Sequence, residues 1–223
     1  RGVQMDVIGH PFLDTNIFLA EFSPLLAYVC TVLWVVGIQN ALNWFDGIPG
    51  ATVGVSSVGF LTLGVLGMIR PELLFDPAQS MSTEAAFWLG GLCAGCAWVH
   101  WRNKVVLGDT GSMVLGAMLA SLALLTGAKV ATLVLVLLLP LLDVLVVLGR
   151  RVLIEKKSPF KSDLKHLPHL FAKRFGTSRA TLLLVFMTLV LGVGAVFLTG
   201  FFKFVGIIIF TALFLWGHRL ISR

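Results

Sequence analysis

The chain has 223 residues, of which 57% are hydrophobic and 13% charged, and its formal net charge is +6. A mean hydropathy of +0.95 excludes a soluble globular domain of ordinary composition and indicates an integral membrane protein. All three cysteines lie in apolar runs, which is typical of packing residues and does not indicate a redox or zinc site.

Seven apolar runs are long enough to cross a bilayer, which needs about 20 residues per helix. Because an open strand edge cannot be satisfied in lipid, each run is predicted to be a helix. The predicted fold class is therefore all-α, a polytopic transmembrane helical bundle of about seven helices in a single integral-membrane domain, residues 1–223. The predicted helices cover residues 24–40, 51–69, 84–101, 110–127, 129–149, 180–199 and 203–219.

The first segment, residues 1–22, has neither an initiator Met nor the charged and apolar regions of a signal peptide. We therefore expect the sequence to be a fragment of a longer chain. In that interpretation residues 1–22 form an extracytoplasmic loop that follows helices outside the given sequence.

A polar connection, Asn40 to Gly50, follows the first predicted helix. Asn40, Asn43 and Asp46 are spaced three apart, so at a helix end they project from nearly one face. Two amides and a carboxylate at one spot suit hydrogen bonding and metal binding, and Gly47 permits close approach of a ligand to the backbone. The alternative is that Asn43 or Asp46 caps a helix and the glycines only punctuate a loop.

A second polar cluster, Gly108 to Ser112, directly precedes the fourth predicted helix. Polar residues at membrane depth are costly and usually serve a function, and Asp109 lies within this cluster. Mg²⁺ is commonly held by one or two carboxylates together with substrate phosphates, and free N–H groups at a helix start can also meet a phosphate. Asp109 fits the metal-binding role, and the alternative is that it caps the helix.

Asp143 lies inside the fifth apolar run, where an unpaired carboxylate costs on the order of 2.5–3.5 kcal/mol near the bilayer centre. We expect it near the cytoplasmic end of the run, facing protein. Arg150 and Arg151 follow within about two turns, so a structural ion pair and a catalytic role are both open.

A third polar cluster, Ser158 to His169, lies in a long basic connection. Asp163, His166 and His169 are spaced three apart and would share one face of a helix, and imidazole can bind phosphate or transfer protons. Pro168 weakens the helical prediction locally. The alternative is a pair of solvated surface histidines.

Alternation of the predicted helices places the connections 40–50, 101–109 and 149–179 on one side of the membrane. That side carries 13 of the 17 Lys and Arg residues, so the positive-inside rule makes it cytoplasmic and makes 149–179 a cytoplasmic basic loop. Insertion topology alone explains most of this bias, and binding of anionic lipid or a polyphosphate is left open. No recognition motif lies between the basic residues, so nucleic-acid binding is not indicated.

Together the three clusters resemble the motifs of the polyprenyl-phosphate N-acetylhexosamine-1-phosphate transferase family, and the resemblance spans almost the whole chain. Asn40 to Gly50 is similar to the family pattern N-A-x-N-x-x-D-G-x-x-G, and Lys104 to Ser112 is similar to K-V-x-x-G-D-x-G-S. The third cluster, S-P-F-x-x-D-x-x-H-x-x-H, resembles the branch that uses UDP-GlcNAc more than the branch that uses UDP-MurNAc-pentapeptide.

The resemblance implies an enzyme that needs Mg²⁺, with Mn²⁺ as the alternative cation, and that starts cell-envelope glycan synthesis. Its lipid substrate, undecaprenyl phosphate, would attack a UDP-N-acetylhexosamine and release UMP. The implied location is the bacterial inner membrane, in contact with membrane lipid and with the active-site loops cytoplasmic, and a homodimer is an open alternative. The implied site residues are Asp46, Asp109, His166 and His169 for catalysis, Asp109 and Asp46 for the metal, and Asn40, Asn43, Lys104, Gly108, Ser112 and Asp163 for substrate.

Several features depart from the family pattern. The family has an aspartate-rich D-D-x-x-D segment, which we expect upstream of residue 1, because the sequence has no adjacent Asp pair. Pro49 stands at a usually acidic position, Val106 at a position where an aromatic often stacks on uracil, and Pro168 at a common histidine position. Two other hypotheses therefore stay open: a non-catalytic relative that binds lipid phosphate or nucleotide, and a secondary transporter, which an intramembrane Asp143 would suit.

Overall fold

The structure is a computed structural model, and it describes residues 7–9, 16–18, 23–69, 79–125, 130–156, 165–198 and 200–221. Almost all of these residues are helical, so the predicted all-α membrane bundle is confirmed. A π-helical turn, Arg150–Ile154, continues the sixth helix. The helices are α1 (Pro24–Phe45), α2 (Ala51–Ile69), α3 (Gln79–Asn103), α4 (Asp109–Leu125), α5 (Val130–Val136), α6 (Leu138–Gly149), α7 (Leu167–Phe175), α8 (Thr177–Phe197) and α9 (Gly200–Ile221).

One short strand pair precedes the helices and was not predicted. β1 (Val7–Gly9) pairs antiparallel with β2 (Asn16–Phe18), with Val7 opposite Phe18. Strands of three residues are too short to show a period-2 hydrophobic pattern, so no sequence pattern indicated them.

Four of the described helices are long and apolar enough to cross a membrane, namely α1, α2, α8 and most of α9. A fifth span results if α5, α6 and the π-helical turn count as one bent element. The prediction of about seven spans is higher than this number. The two remaining runs are helices as predicted, but α4 has only 17 residues, and α3 contains polar residues such as His100 and Arg102.

The fifth apolar run, predicted as one helix over residues 129–149, is instead broken between α5 and α6. The two parts meet at Leu137 with a bend of 76°. Pro140 is the cause, because it has no N–H to donate to the carbonyl of Val136 and its ring clashes with that carbonyl. The bend redirects α6, which carries Asp143.

α2 is largely buried and forms the centre of the bundle. It packs along α3 and α8, while α1 packs against α4. Glycines permit this close approach: a Cβ at Gly54 would lie 2.6 Å from Val185 Cγ2 of α8. Because of this packing, the α1–α2, α3–α4 and α7–α8 connections meet at one end of the bundle, joined by bonds described below.

Candidate active site

The last turn of α1 and the first turn of α4 meet through Asn43. Its Nδ2 donates to Asp109 Oδ1 at 3.2 Å and to Ser112 Oγ at 3.0 Å. Ser112 is fully buried, and its hydroxyl lies 3.0 Å from the carbonyl oxygens of both Gly108 and Asp109. The first two polar clusters, which the sequence predicted on the same membrane face, are therefore in direct contact.

Asp46, the residue after α1, makes a second connection between these clusters. The Gly108 N–H donates to Asp46 Oδ2 at 2.7 Å, and Gly108 adopts φ +82°, a backbone conformation that glycine adopts without strain. Asp46 is half-buried, and burial raises the pKa of its carboxyl, while the hydrogen bond from Gly108 opposes that rise. Asp46 thus holds the loop before α4 against the end of α1.

Of the two carboxylates predicted to hold a metal, Asp109 is the one open to a cation, whereas Asp46 already accepts a hydrogen bond from the Gly108 N–H. Asp109 is exposed, and among the described residues only its Oδ1 accepts a hydrogen bond, which leaves Oδ2 open to a cation. No group of three or more His, Cys, Asp or Glu side chains that could hold a metal occurs in the described part of the chain. One or two carboxylates completed by substrate phosphates and water are a donor set that Mg²⁺ accepts.

Asp143 receives two hydrogen bonds from the start of α7. His166 Nδ1 lies 2.8 Å from Asp143 Oδ2, and the Leu167 N–H donates to Asp143 Oδ1 at 2.7 Å. The carboxylate is fully buried, as predicted for a residue that faces protein. Sequence reasoning missed this pair, because 23 residues separate the partners and no periodic pattern connects them.

The histidines of the third cluster do not share one helix face, contrary to the prediction. His166 is extended and precedes α7, whereas His169 lies within it. Pro168 does not weaken the helix either, because it lies in the first turn of α7, where its missing N–H needs no partner. The predicted basic loop over 149–179 therefore contains the π-helical turn, α7 and the start of α8.

Both histidines nevertheless reach the first cluster. The Trp44 ring packs edge-on to His166 with ring centroids 6.0 Å apart. A Cβ at Gly47 would lie only 2.7 Å from His169 Nε2. Burial lowers the pKa of His169, and the neighbouring His166 lowers it further while Asp143 opposes this, so the neutral imidazole is favoured.

For two residues that were predicted to bind substrate, the described part of the structure shows no hydrogen bond to the other site residues. Asn40 donates its amide to the carbonyl of Val36 on its own helix at 2.8 Å, and no described hydrogen bond joins it to Asp109. Asp163 lies outside the described residues. Their predicted roles in substrate binding stay predictions.

Lys104, which was also predicted to bind substrate, lines a cavity of about 460 Å³ beside the first cluster. Pro49, Trp101 and Arg179 also line this cavity, and Thr181 Oγ1 holds α8 to the Pro49 carbonyl oxygen at 2.9 Å. Two cations, Lys104 and Arg179, therefore border a space large enough for part of a nucleotide sugar. The sequence did not predict Arg179 here, because it appeared only as one more basic residue of the loop.

Known proteins are similar to this chain over most of its length. A family model described as glycosyl transferase family 4 matches residues 2–127. A probable undecaprenyl-phosphate N-acetylglucosaminyl 1-phosphate transferase from Bacillus subtilis (strain 168) is 33% identical over 195 residues, which are 83% of this chain and 51% of that protein. An undecaprenyl-phosphate alpha-N-acetylglucosaminyl 1-phosphate transferase from Thermotoga maritima is 32% identical over 180 residues, 79% of this chain and 53% of that protein.

A third relative represents the other branch. The phospho-N-acetylmuramoyl-pentapeptide-transferase of Streptococcus pyogenes serotype M5 (strain Manfredo) is 36% identical over 110 residues, 49% of this chain and 31% of that protein. The chain spans about half the length of the first two relatives. The resemblance found in the three motifs is thus confirmed at the level of the family.

Proposed function

The chain belongs to glycosyl transferase family 4, and on that premise we propose that it carries the active site of a GlcNAc-1-phosphate transferase. The proposed donor is UDP-GlcNAc and the acceptor is undecaprenyl phosphate. An oxygen of the lipid phosphate attacks the phosphorus next to the sugar, the bond from that phosphorus to UMP breaks, and UMP leaves. The product is a lipid pyrophosphoryl sugar, which would start cell-envelope glycan synthesis.

The observation that carries this proposal is the convergence of all three polar clusters at one end of the bundle. Asn43 joins Asp109, Asp46 joins Gly108, and the third cluster reaches Trp44 and Gly47. A secondary transporter would instead place its polar residues near the middle of the membrane. The geometry therefore supports chemistry at a membrane face.

The roles proposed for these residues suit phosphoryl transfer. This reaction depends mainly on positioning the reacting groups and on neutralising the charge of the phosphate oxygens. Mg²⁺, held by Asp109 with Asp46 beside it, would neutralise phosphate oxygens, and Mn²⁺ is the alternative cation. Asn43 and Ser112 position Asp109. His166 and His169 offer ring nitrogens to the diphosphate, and the cavity bordered by Lys104 and Arg179 offers cations to anionic parts of the donor.

The proposed location is a bacterial inner membrane with the site facing the cytoplasm. The UDP-sugar would reach the site from that side, and the positive-inside rule places most of the Lys and Arg residues there. The runner-up donor is UDP-MurNAc-pentapeptide, which the similarity to the Streptococcus pyogenes protein keeps open. Membrane lipid surrounds the proposed site, and a homodimer stays an open alternative.

The proposal predicts Mg²⁺-dependent UMP release. The protein, produced at the full length of its gene product, is incubated with undecaprenyl phosphate and UDP-GlcNAc, with Mg²⁺ and then with excess EDTA. We expect UMP release with Mg²⁺, its loss in EDTA, and recovery on adding Mg²⁺ or Mn²⁺. A folded protein that releases no UMP from any UDP-N-acetylhexosamine contradicts the proposal and favours a binding-only relative.

Gly47→Ala tests the contact between the first and third clusters. The added methyl group would lie 2.7 Å from His169 Nε2, so the ring or the backbone at Gly47 must shift. We expect kcat/KM for UMP release to fall by about tenfold or more, because small misplacements of site residues are costly. The matched control is Gly37→Ala on α1, where an added Cβ meets no atom within 4 Å. Equal activity of the two variants would remove His169 from the site.

A further inference from the structure

Asp143 and His166 form a largely buried pair between α6 and the start of α7. Asp143 is fully buried in α6, and both of its oxygens accept hydrogen bonds, one from the His166 ring and one from the Leu167 N–H. A buried carboxylate is costly unless it is paired and hydrogen-bonded, and this one is satisfied only by the start of α7 among the described residues. Asp143 therefore holds both the backbone and the ring of the α7 N-terminus.

The pairing decides which ring nitrogen of His166 is left for a ligand. An ionised carboxylate only accepts hydrogen bonds, so Nδ1 of His166 must carry the proton between them. Nε2 has no hydrogen-bond partner among the described residues, and 11% of the side chain is exposed. Trp44 packs on the ring and keeps it beside the first cluster. Nε2 is thus the ring nitrogen available at the site.

We propose that Asp143 is a positioning residue that keeps the proton of His166 on Nδ1 and so assigns Nε2 to the substrate. Nε2 takes up a proton from water and donates it in a hydrogen bond to a diphosphate oxygen, while the carboxylate of Asp143 balances the charge of the ring. The identity of that oxygen rests on the proposed function. The orientation of the ring does not, because it follows from the Asp143 contacts alone.

Asp143→Asn distinguishes this role from a purely structural one. The Leu167 N–H still requires an acceptor, so the amide oxygen of the variant takes the place of Oδ1. The amide NH₂ group then faces Nδ1 of His166 and donates to it, which moves the ring proton to Nε2. The shape of the side chain at position 143 and both of its hydrogen bonds are kept. The neutral amide, however, no longer stabilises a His166 ring that is protonated on both nitrogens.

The first readout is the rate of UMP release by the full-length protein. We expect Asp143→Asn to lower kcat about tenfold, because Nε2–H of the neutral ring still donates a hydrogen bond but the positive charge that strengthens it is lost, and to change the KM for UDP-GlcNAc much less. The control is Thr188→Val, which removes one buried hydrogen bond from α8, to the Leu184 carbonyl oxygen at 2.9 Å, and should keep wild-type kcat. An Asp143→Asn variant with wild-type kcat overturns the inference.

The second readout does not need activity. Nitrogen-15 NMR of histidine-labelled protein in micelles, with the His166 signals assigned by their loss in His166→Gln, shows which ring nitrogen carries the proton. We expect Nδ1–H in the wild type and Nε2–H in Asp143→Asn. A wild-type ring protonated only on Nε2 overturns the inference even if UMP is released. If the wild type releases no UMP but shows the expected NMR result, the proposed function fails while the Asp143 assignment stands.

Discussion

Asp109→Asn is expected to abolish Mg²⁺-dependent UMP release while leaving membrane insertion intact. The substitution keeps the shape of the side chain, and the new amide oxygen can still accept the hydrogen bond that Asn43 Nδ2 donates to Asp109 Oδ1 at 3.2 Å. The first two clusters therefore stay joined. The variant loses the negative charge of the Asp109 carboxylate at the exposed start of α4. In the proposal this carboxylate is the main protein ligand of the cation. We expect a loss of at least about 10³-fold in kcat, since metal-based charge stabilisation is worth several kcal/mol.

The experiment measures initial rates of UMP release across a range of Mg²⁺ concentrations for the full-length wild type and variant. Glu84→Gln is the matched control, because it makes the same change from carboxylate to amide at an exposed position near the other end of α3. We expect this control to match the wild type at every Mg²⁺ concentration. Retained turnover in Asp109→Asn would remove Asp109 from the metal role.

The sequence predicted those parts of the site that depend on local patterns. Apolar runs identified the helices, and Asn43 and Asp46 lie at a helix end as predicted, although α1 continues to Phe45 and does not end at residue 40. The alternation of predicted spans put the three clusters on one side, and the structure brings described residues of all three into contact. These inferences succeed because the membrane restricts the chain to helices and the helical repeat then fixes where side chains project.

The parts that sequence reasoning missed depend on contacts between distant segments. The hydrogen bond from His166 to Asp143 follows from the bend at Leu137 and from α7 beginning at Leu167. Pro140 and Pro168 are visible in the sequence, but one breaks a helix and the other begins one. Only the surrounding structure decides between these two effects of proline. Arg179 shows the same limit, because its place beside Lys104 depends on how α8 packs.

Gly116→Ala is expected to damage the site from one helical turn away. A Cβ at Gly116 would lie 2.6 Å from Gln39 Cα and 3.0 Å from Gln39 N, which are backbone atoms of α1 that cannot rotate aside. The two helices must therefore separate, and such overpacking costs about 1–3 kcal/mol. Gln39 is four residues before Asn43, and Gly116 is four residues after Ser112, so the separation also lengthens the 3.0 Å bond between Asn43 and Ser112.

We therefore expect Gly116→Ala to lower both the free energy of unfolding in mixed micelles and the kcat for UMP release, the latter by about tenfold to a hundredfold. Gly95→Ala on α3 is the control, because an added Cβ there meets no atom within 4 Å, and it should change neither quantity. If Gly116→Ala lost stability but kept wild-type kcat, the Asn43 contacts would not need the close packing of α1 on α4. If kcat and the free energy of unfolding both fell, the helix contact at Gly116 would instead be what holds Asp109 in its active position.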